Sequence, residues 1–234
     1  MADISRNNFD RIVPNNSAVN PFVCPFGGTG NAGVNAGTNL YLAVGFMGQS
    51  GKTVTSVVWD PGGAAQTMAL LSTETGGDRP IWMYGLVNPT TGPKNVEVTW
   101  SAVPDAFVGF AEALYDVGQS GQPHAADTDV GVNANSLTAT LTTSVDKCWL
   151  CALSRDNTGG TVTWNNVISQ SGPGGGPGGG VTFADSNGVV ATGSNNIVAT
   201  LTGALQALIG VALAPPSGAV SPVDLWSVYP DWPR

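Results

Sequence analysis

The sequence is poor in charged residues. Asp, Glu, Lys and Arg make up 10% of the 234 positions, whereas an average globular protein contains about 25%. The net charge is −8, and Lys and Arg are nowhere clustered. This argues against nucleic-acid binding, because phosphate neutralisation requires a basic patch. A surface covered mostly by Ser, Thr, Asn and Gln is buried against a neighbouring chain at little cost, so we expect stable assembly.

Residues for acid–base catalysis are also scarce. The chain has a single histidine, His124, and only three glutamates, Glu74, Glu97 and Glu112, and it lacks a Gly-x-Ser-x-Gly motif. The segment 48–53 resembles a phosphate-binding loop, but its spacing is wrong and a strand pattern follows it, so it is predicted to be a hairpin turn. We predict no enzyme activity, no catalytic residue and no cofactor. Glu112 lies in an apolar segment and is predicted to face outward.

Metal ligands are few. Cys148 and Cys151 lie in one apolar segment and are predicted to pack in a strand, because Cys24 and His124 do not supply the two further ligands of a zinc site.

The segment 115–135 is predicted to be a long loop, and it is the one place where a metal or acid–base cluster can be proposed. It contains His124, Asp116, Asp127 and Asp129. Their spacing matches no known calcium loop, so we predict solvated loop acids and no metal site.

Long hydrophobic runs are absent. The longest run, 205–214, is too short to cross a bilayer. The opening residues 1–10 lack the apolar stretch of a signal peptide. We therefore expect a protein made in a cytoplasm, without membrane attachment.

The sequence is rich in turn residues that separate short apolar segments. Gly (32) and Pro (16) fill 48 of the 234 positions. The run 205–213 is compatible with a helix, but Gly210 interrupts it and a strand is predicted. We predict an all-β fold, an antiparallel β-sandwich of jelly-roll or immunoglobulin-like type with irregular N- and C-terminal arms. The predicted strands are 40–47, 54–59, 68–71, 81–87, 95–100, 108–114, 136–142, 147–153, 161–165, 188–192, 196–202 and 205–213.

The segment 81–100 is predicted to be a β-hairpin at the centre of this sandwich. Its second arm alternates, with Val96, Val98 and Trp100 on one face, as in a strand buried on one side. Its first arm, Ile81–Val87, is apolar on both faces and is predicted to be covered on both.

The chain is predicted to have three parts: an N-terminal arm (1–37), one sandwich domain (38–214) and a C-terminal arm (215–234). The glycine-rich run 172–180 is predicted to be a flexible surface loop. The C-terminal arm combines five prolines with three aromatic residues. It is predicted to dock on its own protomer or on neighbouring subunits by burying these rings. The predicted partner-binding residues are Trp226, Tyr229, Trp232, Leu225, Phe9 and Phe22.

Three tryptophans, Trp59, Trp100 and Trp164, each end a strand rich in Val and Thr. Tryptophans at such positions usually cap the open end of a sandwich core, and that role is predicted. A platform on which a sugar stacks is the alternative.

Four segments carry a family resemblance: Thr-Ser-Val-Val-Trp-Asp (55–60), Ile-Trp-Met-Tyr-Gly-Leu-Val-Asn-Pro (81–89), Asn-Val-Glu-Val-Thr-Trp (95–100) and Val-Gly-Phe-Ala-Glu-Ala-Leu-Tyr-Asp-Val (108–117). They resemble the jelly-roll or immunoglobulin-like sandwich domains of tailed-phage virion proteins, over roughly 38–214. Such domains occur in capsid decoration proteins, head fibres and tail fibres, and also in bacterial surface proteins. Many of them have a small apolar or hydroxyl residue at the position of Glu112.

The resemblance implies a non-enzymatic virion structural protein. The expected role is that of a capsid decoration (cement) protein, which binds and stabilises the phage head shell at the capsid surface after synthesis in the host cytoplasm. The expected partners are the major capsid protein or other virion subunits and further copies of the chain, with a trimer as the expected oligomer; no nucleic acid and no membrane is expected. The alternative is a receptor- or glycan-binding module of a phage fibre or surface adhesin.

Overall fold

The structure is a computed structural model that describes residues 2–13, 19–27, 33–76, 79–105, 107–158, 162–169, 174–176 and 179–217. Within these ranges the chain forms β-strands and no helix, so the prediction of an all-β fold is confirmed. The strands are β1 (Ser5–Ile12), β2 (Phe22–Phe26), β3 (Tyr41–Met47), β4 (Val54–Trp59), β5 (Gln66–Thr67), β6 (Ala69–Glu74), β7 (Ile81–Val87), β8 (Lys94–Trp100), β9 (Val108–Tyr115), β10 (Ala125–Val132), β11 (Ser136–Thr143), β12 (Trp149–Asp156), β13 (Thr163–Asn165), β14 (Ile168–Ser169), β15 (Gly174–Gly176), β16 (Gly179–Asp185), β17 (Gly193–Thr200) and β18 (Leu205–Leu213).

The strands form four antiparallel sheets that stack as layers. The outer N sheet has the order β2-β8-β4-β5, and the inner N sheet has the order β1-β9-β3-β7-β6. The inner C sheet has the order β10-β18-β12-β16-β14, with β15 pairing to β16, and the outer C sheet has the order β11-β17-β13. The first two layers make an N sandwich and the last two make a C sandwich.

Apolar side chains fill three cores, one between each pair of neighbouring layers. The N core lies between the two N sheets, the central core between the two inner sheets, and the C core between the two C sheets. The prediction of an antiparallel β-sandwich is confirmed, and the structure has two such sandwiches joined by the central core. Representative members are Phe46, Trp59 and Trp100 in the N core, Met83, Leu153 and Ile209 in the central core, and Leu141, Ile197 and Leu208 in the C core.

The segment 81–100 is not a hairpin. β7 pairs with β3 and β6 in the inner N sheet, whereas β8 pairs with β2 and β4 in the outer N sheet. The predicted burial is confirmed, because β7 is covered on both faces and β8 buries only alternate residues. The two arms differ in burial because one belongs to an inside layer and the other to an outside layer.

The N-terminal residues are less irregular than predicted. β1 forms an edge of the inner N sheet, and β2 forms an edge of the outer N sheet. β2 alternates, with Phe22, Cys24 and Phe26 buried and Pro25 tolerated because the strand lies at an edge. β1 lacks this alternation and is held by pairing with β9 and by the Asn7 side chain, whose Nδ2 donates to the Asn35 carbonyl oxygen (2.8 Å).

Several other boundaries differ from the prediction. The predicted loop 115–135 contains β10, and the glycine-rich run 172–180 supplies β15 and the start of β16. The predicted strand 188–192 is absent, whereas β18 is confirmed as a strand. The segment 48–53, predicted to be a hairpin turn, forms a turn in which the Lys52 amide donates to the Gln49 carbonyl oxygen (3.1 Å). It joins β3 to β4, which lie in different sheets, so it is not the turn of a hairpin. Residues 215–217 lie outside strands, and 218–234 lie outside the described residues. A membrane-spanning helix is not among the elements that the described residues form.

Candidate functional site

Four of the six predicted partner-binding residues lie outside the described residues: Leu225, Trp226, Tyr229 and Trp232. Their role as the anchors of a docking tail stays a prediction.

The other two, Phe9 and Phe22, pack within their own chain. Phe22 is fully buried in the N core, with its ring centroid 5.6 Å from that of Phe107. Phe9 is half-buried on β1, and its ring centroid lies 5.4 Å from that of Phe183 and 6.1 Å from that of Phe110. The folded chain therefore presents no ring surface of Phe22 to a partner, and Phe9 contributes mainly to the central core.

The tryptophans at strand ends also belong to cores. Trp59 and Trp100 are buried in the N core, and the Trp59 indole Nε1 donates to the Thr90 carbonyl oxygen (3.0 Å). Trp164 is half-buried against the C core. Trp59 and Trp100 are therefore core residues, and their rings have no exposed face on which a sugar could stack.

Asp127 and Asp129, which lie in the predicted loop 115–135, accept hydrogen bonds from backbone amides at the edge of β11. β10 and β11 belong to different sheets and are not paired. Side chains of β10, and of the residue before it, nevertheless accept hydrogen bonds from two amides of β11 and from the amide of the residue after it. This arrangement closes one side of the C sandwich. The bonds run from the Thr138 amide to Asp129 Oδ2 (2.8 Å), from the Thr140 amide to Asp127 Oδ2 (2.7 Å) and from the Ser144 amide to His124 Nε2 (3.0 Å).

These residues are therefore spread along a strand instead of converging on a point. Asp116 lies apart from them, where its carboxylate accepts from the Thr38 hydroxyl (2.9 Å). In the part of the chain that the structure describes, His, Cys, Asp and Glu side chains do not gather in groups of three that would hold a metal ion.

The outward side of the outer C sheet is a regular polar face. Each residue of β11 that points away from the C core lies opposite an outward residue of β17, and β13 extends the same rows. The side chains carry hydroxyl, amide or aliphatic groups and no charge. The polar face consists of Ser136, Thr138, Thr140 and Thr142 on β11, Ser194, Asn196, Val198 and Thr200 on β17, and Thr163 and Asn165 on β13.

A second polar group of residues lies inside the molecule, where the central core joins the two sandwiches. We call Arg6, Glu112, Cys151 and Asp185 the ionic cluster. Arg6 Nε donates to Glu112 Oε1 (3.2 Å), and the terminal nitrogen Nη2 of Arg6 donates to Asp185 Oδ2 (2.5 Å). The Cys151 thiol donates to Glu112 Oε2 (3.3 Å). Arg6 and Glu112 come from the N sandwich and the other two from the C sandwich, so the cluster spans the joint.

The prediction that Glu112 faces outward is wrong, because its side chain is fully buried. Burial raises the pKa of Glu112 well above its ordinary value, and the charge and hydrogen bond of Asp185 raise it further. Burial likewise raises the pKa of the Cys151 thiol, which keeps the sulfur protonated. The predicted packing role of Cys148 and Cys151 is confirmed, since both are buried free thiols.

The sequence around Glu112 does indicate that this residue is buried. The strand around it, β9, is apolar on both sides of Glu112 and is buried on both faces. A charged residue in a strand covered on both faces has no outward side to face, so it must find partners inside. Its partners Arg6 and Asp185 are distant in sequence, and the sequence gives no periodic signal for them.

A shallow cleft of about 190 Å³ lies between the inner N sheet and the segment that leads to β10. Among the described residues of its lining Tyr41 is the only ionisable one, and the lining also includes Leu71, Leu86, Val87 and Gln122. Burial raises the pKa of Tyr41, so the phenol stays neutral. The cleft therefore holds no pair of groups for proton transfer.

Comparisons with known proteins leave the chain without an assigned family. No protein-family model matches the sequence, and no curated protein matches it. The chain is similar to GK1651 from Geobacillus kaustophilus at a TM-score of 0.28 and 10% identity, covering 94% of this chain and 100% of that one. It is similar to the BSP domain of a biofilm associated protein at a TM-score of 0.23 and 10% identity, covering 92% and 50% of the two chains. It is similar to oxalate decarboxylase from Bacillus subtilis at a TM-score of 0.21 and 7% identity, covering 100% and 84%. Likenesses this low carry no conclusion about fold family or activity.

Proposed function

We propose that the chain is a non-enzymatic structural protein of a tailed-phage virion, a capsid decoration protein that binds the head shell from outside and stabilises it. Its partners are the major capsid protein and further copies of the chain. The family resemblance of four segments within 55–117 is one support for this proposal. The polar face of the outer C sheet is the structural observation that carries it.

The polar face is suited to burial against another protein. Its ten side chains carry no charge, although the chain as a whole has a net charge of −8. Burying an unpaired charge in an interface costs several kcal/mol, whereas hydroxyl and amide groups find hydrogen-bond partners on almost any protein surface. Such a face allows a chain to lie against its neighbours without electrostatic repulsion.

The layered body supports the same role. Three cores run through the molecule, and the central core joins the two sandwiches through their inner sheets. A joint made of buried apolar side chains resists bending, unlike the polar, smaller contacts between mobile domains. Force applied to the polar face is therefore transmitted to the whole chain, as a protein that clamps a shell requires.

The polar face alone is too small for a standard interface. From Ser136 to Thr142 it measures about 20 Å along the strands, and its three strands are about 10 Å across. The resulting area, about 200 to 300 Å², falls well short of the roughly 800 Å² that each partner contributes in a stable complex. We expect the aromatic tail, with Trp226, Tyr229 and Trp232, to provide much of the remainder.

Binding to shells tests the proposal. Purified protein is mixed with empty shells of the major capsid protein from the same virion, and co-sedimentation and the melting temperature of the shells are measured. Wild type is expected to co-sediment and to raise the melting temperature. Val198→Glu, which places a charge at the centre of the polar face, is expected to weaken binding at least tenfold, whereas Val198→Thr is expected to bind like wild type.

An exposed threonine on the opposite outer sheet provides a second control, because Thr55→Glu adds the same charge away from the polar face. If wild type leaves shells unchanged, the proposal is overturned. Binding to cell-surface polysaccharide without binding to shells would instead favour a receptor-binding module. If Val198→Glu binds as well as wild type, the polar face is not the attachment surface.

A further inference from the structure

The shallow cleft beside the inner N sheet is an open end of the central core. Tyr41 and Leu71 belong to that core and Val87 packs against it, and all three line the cleft. Ala69, an exposed residue of the edge strand β6, also belongs to the lining. Apolar surface that a core leaves open to water is stabilised when another apolar group covers it. The cleft is therefore a place where a further side chain can extend the central core.

The size of the cleft matches one aromatic side chain. Its volume is about 190 Å³, whereas pockets that hold whole small molecules measure about 300 to 1,000 Å³. An engineered apolar cavity of about 150 Å³ holds a single benzene molecule. One ring, somewhat larger than benzene, therefore fills the cleft better than a complete small-molecule ligand would.

A polar atom in the cleft favours a tryptophan ring. Tyr41 is 1% exposed, and a Cβ added at Gly85 would collide with its hydroxyl, so that hydroxyl lies against a second lining residue. In the part of the chain that the structure describes, the Tyr41 hydroxyl makes no hydrogen bond. Its oxygen can accept from the indole N–H of a tryptophan, a donor that phenylalanine lacks.

The C-terminal segment leaves the folded body beside this cleft. Gln122, which lines the cleft, makes two hydrogen bonds to Ala214: its Nε2 donates to the carbonyl oxygen (2.9 Å), and its Oε1 accepts from the amide (3.1 Å). The Gly118 amide donates to the same carbonyl oxygen (2.8 Å). Ala214 is thus fixed next to the cleft, three positions before Ser217, where the described part of the chain ends.

We propose that the segment 218–234 docks on the cleft of its own chain and that Trp226 is the side chain that fills it. Trp226 is the first aromatic residue after Ser217 and follows it by nine positions. Nine residues span at most about 30 Å, which is ample for a return to a cleft that lies beside residue 214. Pro222 lies between the two positions, and proline favours the turn that such a return requires.

A tail of the same chain has an advantage over any other occupant. A segment tethered by a short linker has an effective concentration in the millimolar range, which exceeds that of a second copy in dilute solution. A weak site, of the kind that one buried ring provides, is therefore filled within the chain.

Docking of Trp226 does not depend on the proposed function, because it involves one chain alone. In a capsid protein, a docked Trp226 would contribute to the shell interface by positioning Tyr229 and Trp232, which follow it in the sequence.

Fluorine NMR of protein labelled with 5-fluorotryptophan tests the docking. The resonance of Trp226 is identified by its loss in Trp226→Phe. In wild type, a soluble paramagnetic agent is expected to broaden this resonance at least fivefold less than that of free 5-fluorotryptophan. Ala69→Glu, which places a charge in the cleft, is expected to abolish the protection. Ala102→Glu, at an exposed alanine outside the lining, is the matched control and should leave the protection unchanged.

Three results of the NMR experiment would overturn the proposal. The first is a Trp226 resonance that is as accessible in wild type as in the free amino acid. The second is protection that survives Ala69→Glu. The third is protection that disappears on dilution, because the occupant of the cleft would then be the tail of a second copy.

Hydrogen exchange of the cleft provides a second readout. Amides of residues 67–71 and 85–87 are expected to exchange at least threefold more slowly in wild type than in Trp226→Ala, since the docked ring shields them from water. Trp232→Ala, which removes another ring from the same segment, should exchange like wild type. If exchange in Trp226→Ala is no faster than in Trp232→Ala, the assignment of Trp226 to the cleft is overturned.

Discussion

The N core and the C core are built from different kinds of side chain. In the N core, the Phe46 ring is surrounded by those of Trp82, Tyr84, Trp100 and Phe107, with centroids between 5.4 and 5.9 Å away. The C core contains no Phe or Tyr among its described members and relies on small and aliphatic side chains. Its contributions from β11 are Leu137, Ala139 and Leu141.

The two sandwiches of this chain are therefore stabilised by different kinds of interaction. An aromatic side chain buries about 150 to 250 Å², far more than an alanine, so the N sandwich gains most from ring burial. The C sandwich gains less apolar burial, and several of its carboxylates accept hydrogen bonds from backbone amides, such as those of Asp127, Asp129 and Asp156. Mutations in the two sandwiches should therefore differ in how much they lower the free energy of unfolding and in the kind of interaction that they remove.

The largest effect is expected from removal of a ring in the N core. Trp100→Ala removes the edge-on contacts of this ring with Phe22, Trp82 and Phe107 and leaves a cavity. We expect the free energy of unfolding to fall by about 3 to 5 kcal/mol, measured by urea denaturation. The matched change in the C sandwich, Trp164→Ala, removes a half-buried ring and should cost clearly less. Equal losses would mean that the two cores do not differ as described.

The next largest effect is expected at Asp156 in the C sandwich. Its two carboxylate oxygens accept bonds from the Thr158 amide and hydroxyl and from the Thr202 and Gly203 amides, at 2.7 to 3.0 Å. Asp156→Ala leaves buried donors unsatisfied and should lower the free energy of unfolding by about 2 to 3 kcal/mol. As a control, Asp146→Ala, where an exposed carboxylate accepts from the Thr192 amide, should cost no more than about 1 kcal/mol.

Asp156 also predicts that the C sandwich loses stability in strong acid. Burial alone would raise the pKa of Asp156, but the hydrogen bonds from Thr158, Thr202 and Gly203 hold it below its ordinary value. The stability that this carboxylate contributes is therefore present at neutral pH and is lost as pH falls through the lowered pKa. Wild type should lose this part of its stability in strong acid, while Asp156→Ala should not. Identical acid profiles of the two proteins would refute the assignment.

A smaller effect is expected from a single added methyl group in the C core. A Cβ at Gly210 of β18 would lie 3.0 Å from the Cβ of Ala139 and 3.3 Å from Cδ1 of Ile197, closer than ordinary contact. The gain from restricting the unfolded backbone, about 0.4 to 1 kcal/mol, opposes an overpacking cost of about 1 to 3 kcal/mol. We expect Gly210→Ala to destabilise by about 1 kcal/mol in thermal unfolding. A stabilised variant would show that the layers of the C sandwich have room to spare.

The smallest effect is expected at the capped edge of β11. Asp129→Ala removes the acceptor of the Thr138 amide, which water can then reach, so the loss should be about 1 kcal/mol. Asp129→Asn keeps an acceptor oxygen and should therefore lose less stability than Asp129→Ala. Amide exchange at Thr138, measured by NMR, should accelerate in the alanine variant and stay slow at Leu141. Unchanged exchange at Thr138 would contradict the capping role.

Much of the layering was predictable from periodicity. The apolar segment around Trp82 predicted a strand covered on both faces, and the alternation of Val96, Val98 and Trp100 predicted a strand covered on one. Periodicity reports which faces are buried, however, and not which strand lies alongside. The segment 81–100 was therefore predicted as a hairpin, although its two arms lie in different layers.

The polar features were harder to predict, for physical reasons. Arg6, Glu112 and Asp185 come together only through the packing of two sandwiches, and their sequence separations, up to 179 residues, leave no local pattern. Asp127 and Asp129 look like solvated acids because a capping role depends on where the neighbouring strand runs. β1 was predicted as part of an arm, because an edge strand held by backbone bonds needs no apolar alternation.

The capped amides of β11 also affect the tendency of the protein to aggregate at high concentration. Fibrils grow when an exposed strand offers free backbone donors and acceptors to an incoming chain. Along β11 the donors at Thr138 and Thr140 are already occupied by carboxylates, and an arriving strand would meet negative charge where it needs amides. High local concentrations of the protein should therefore not seed cross-β growth at this edge.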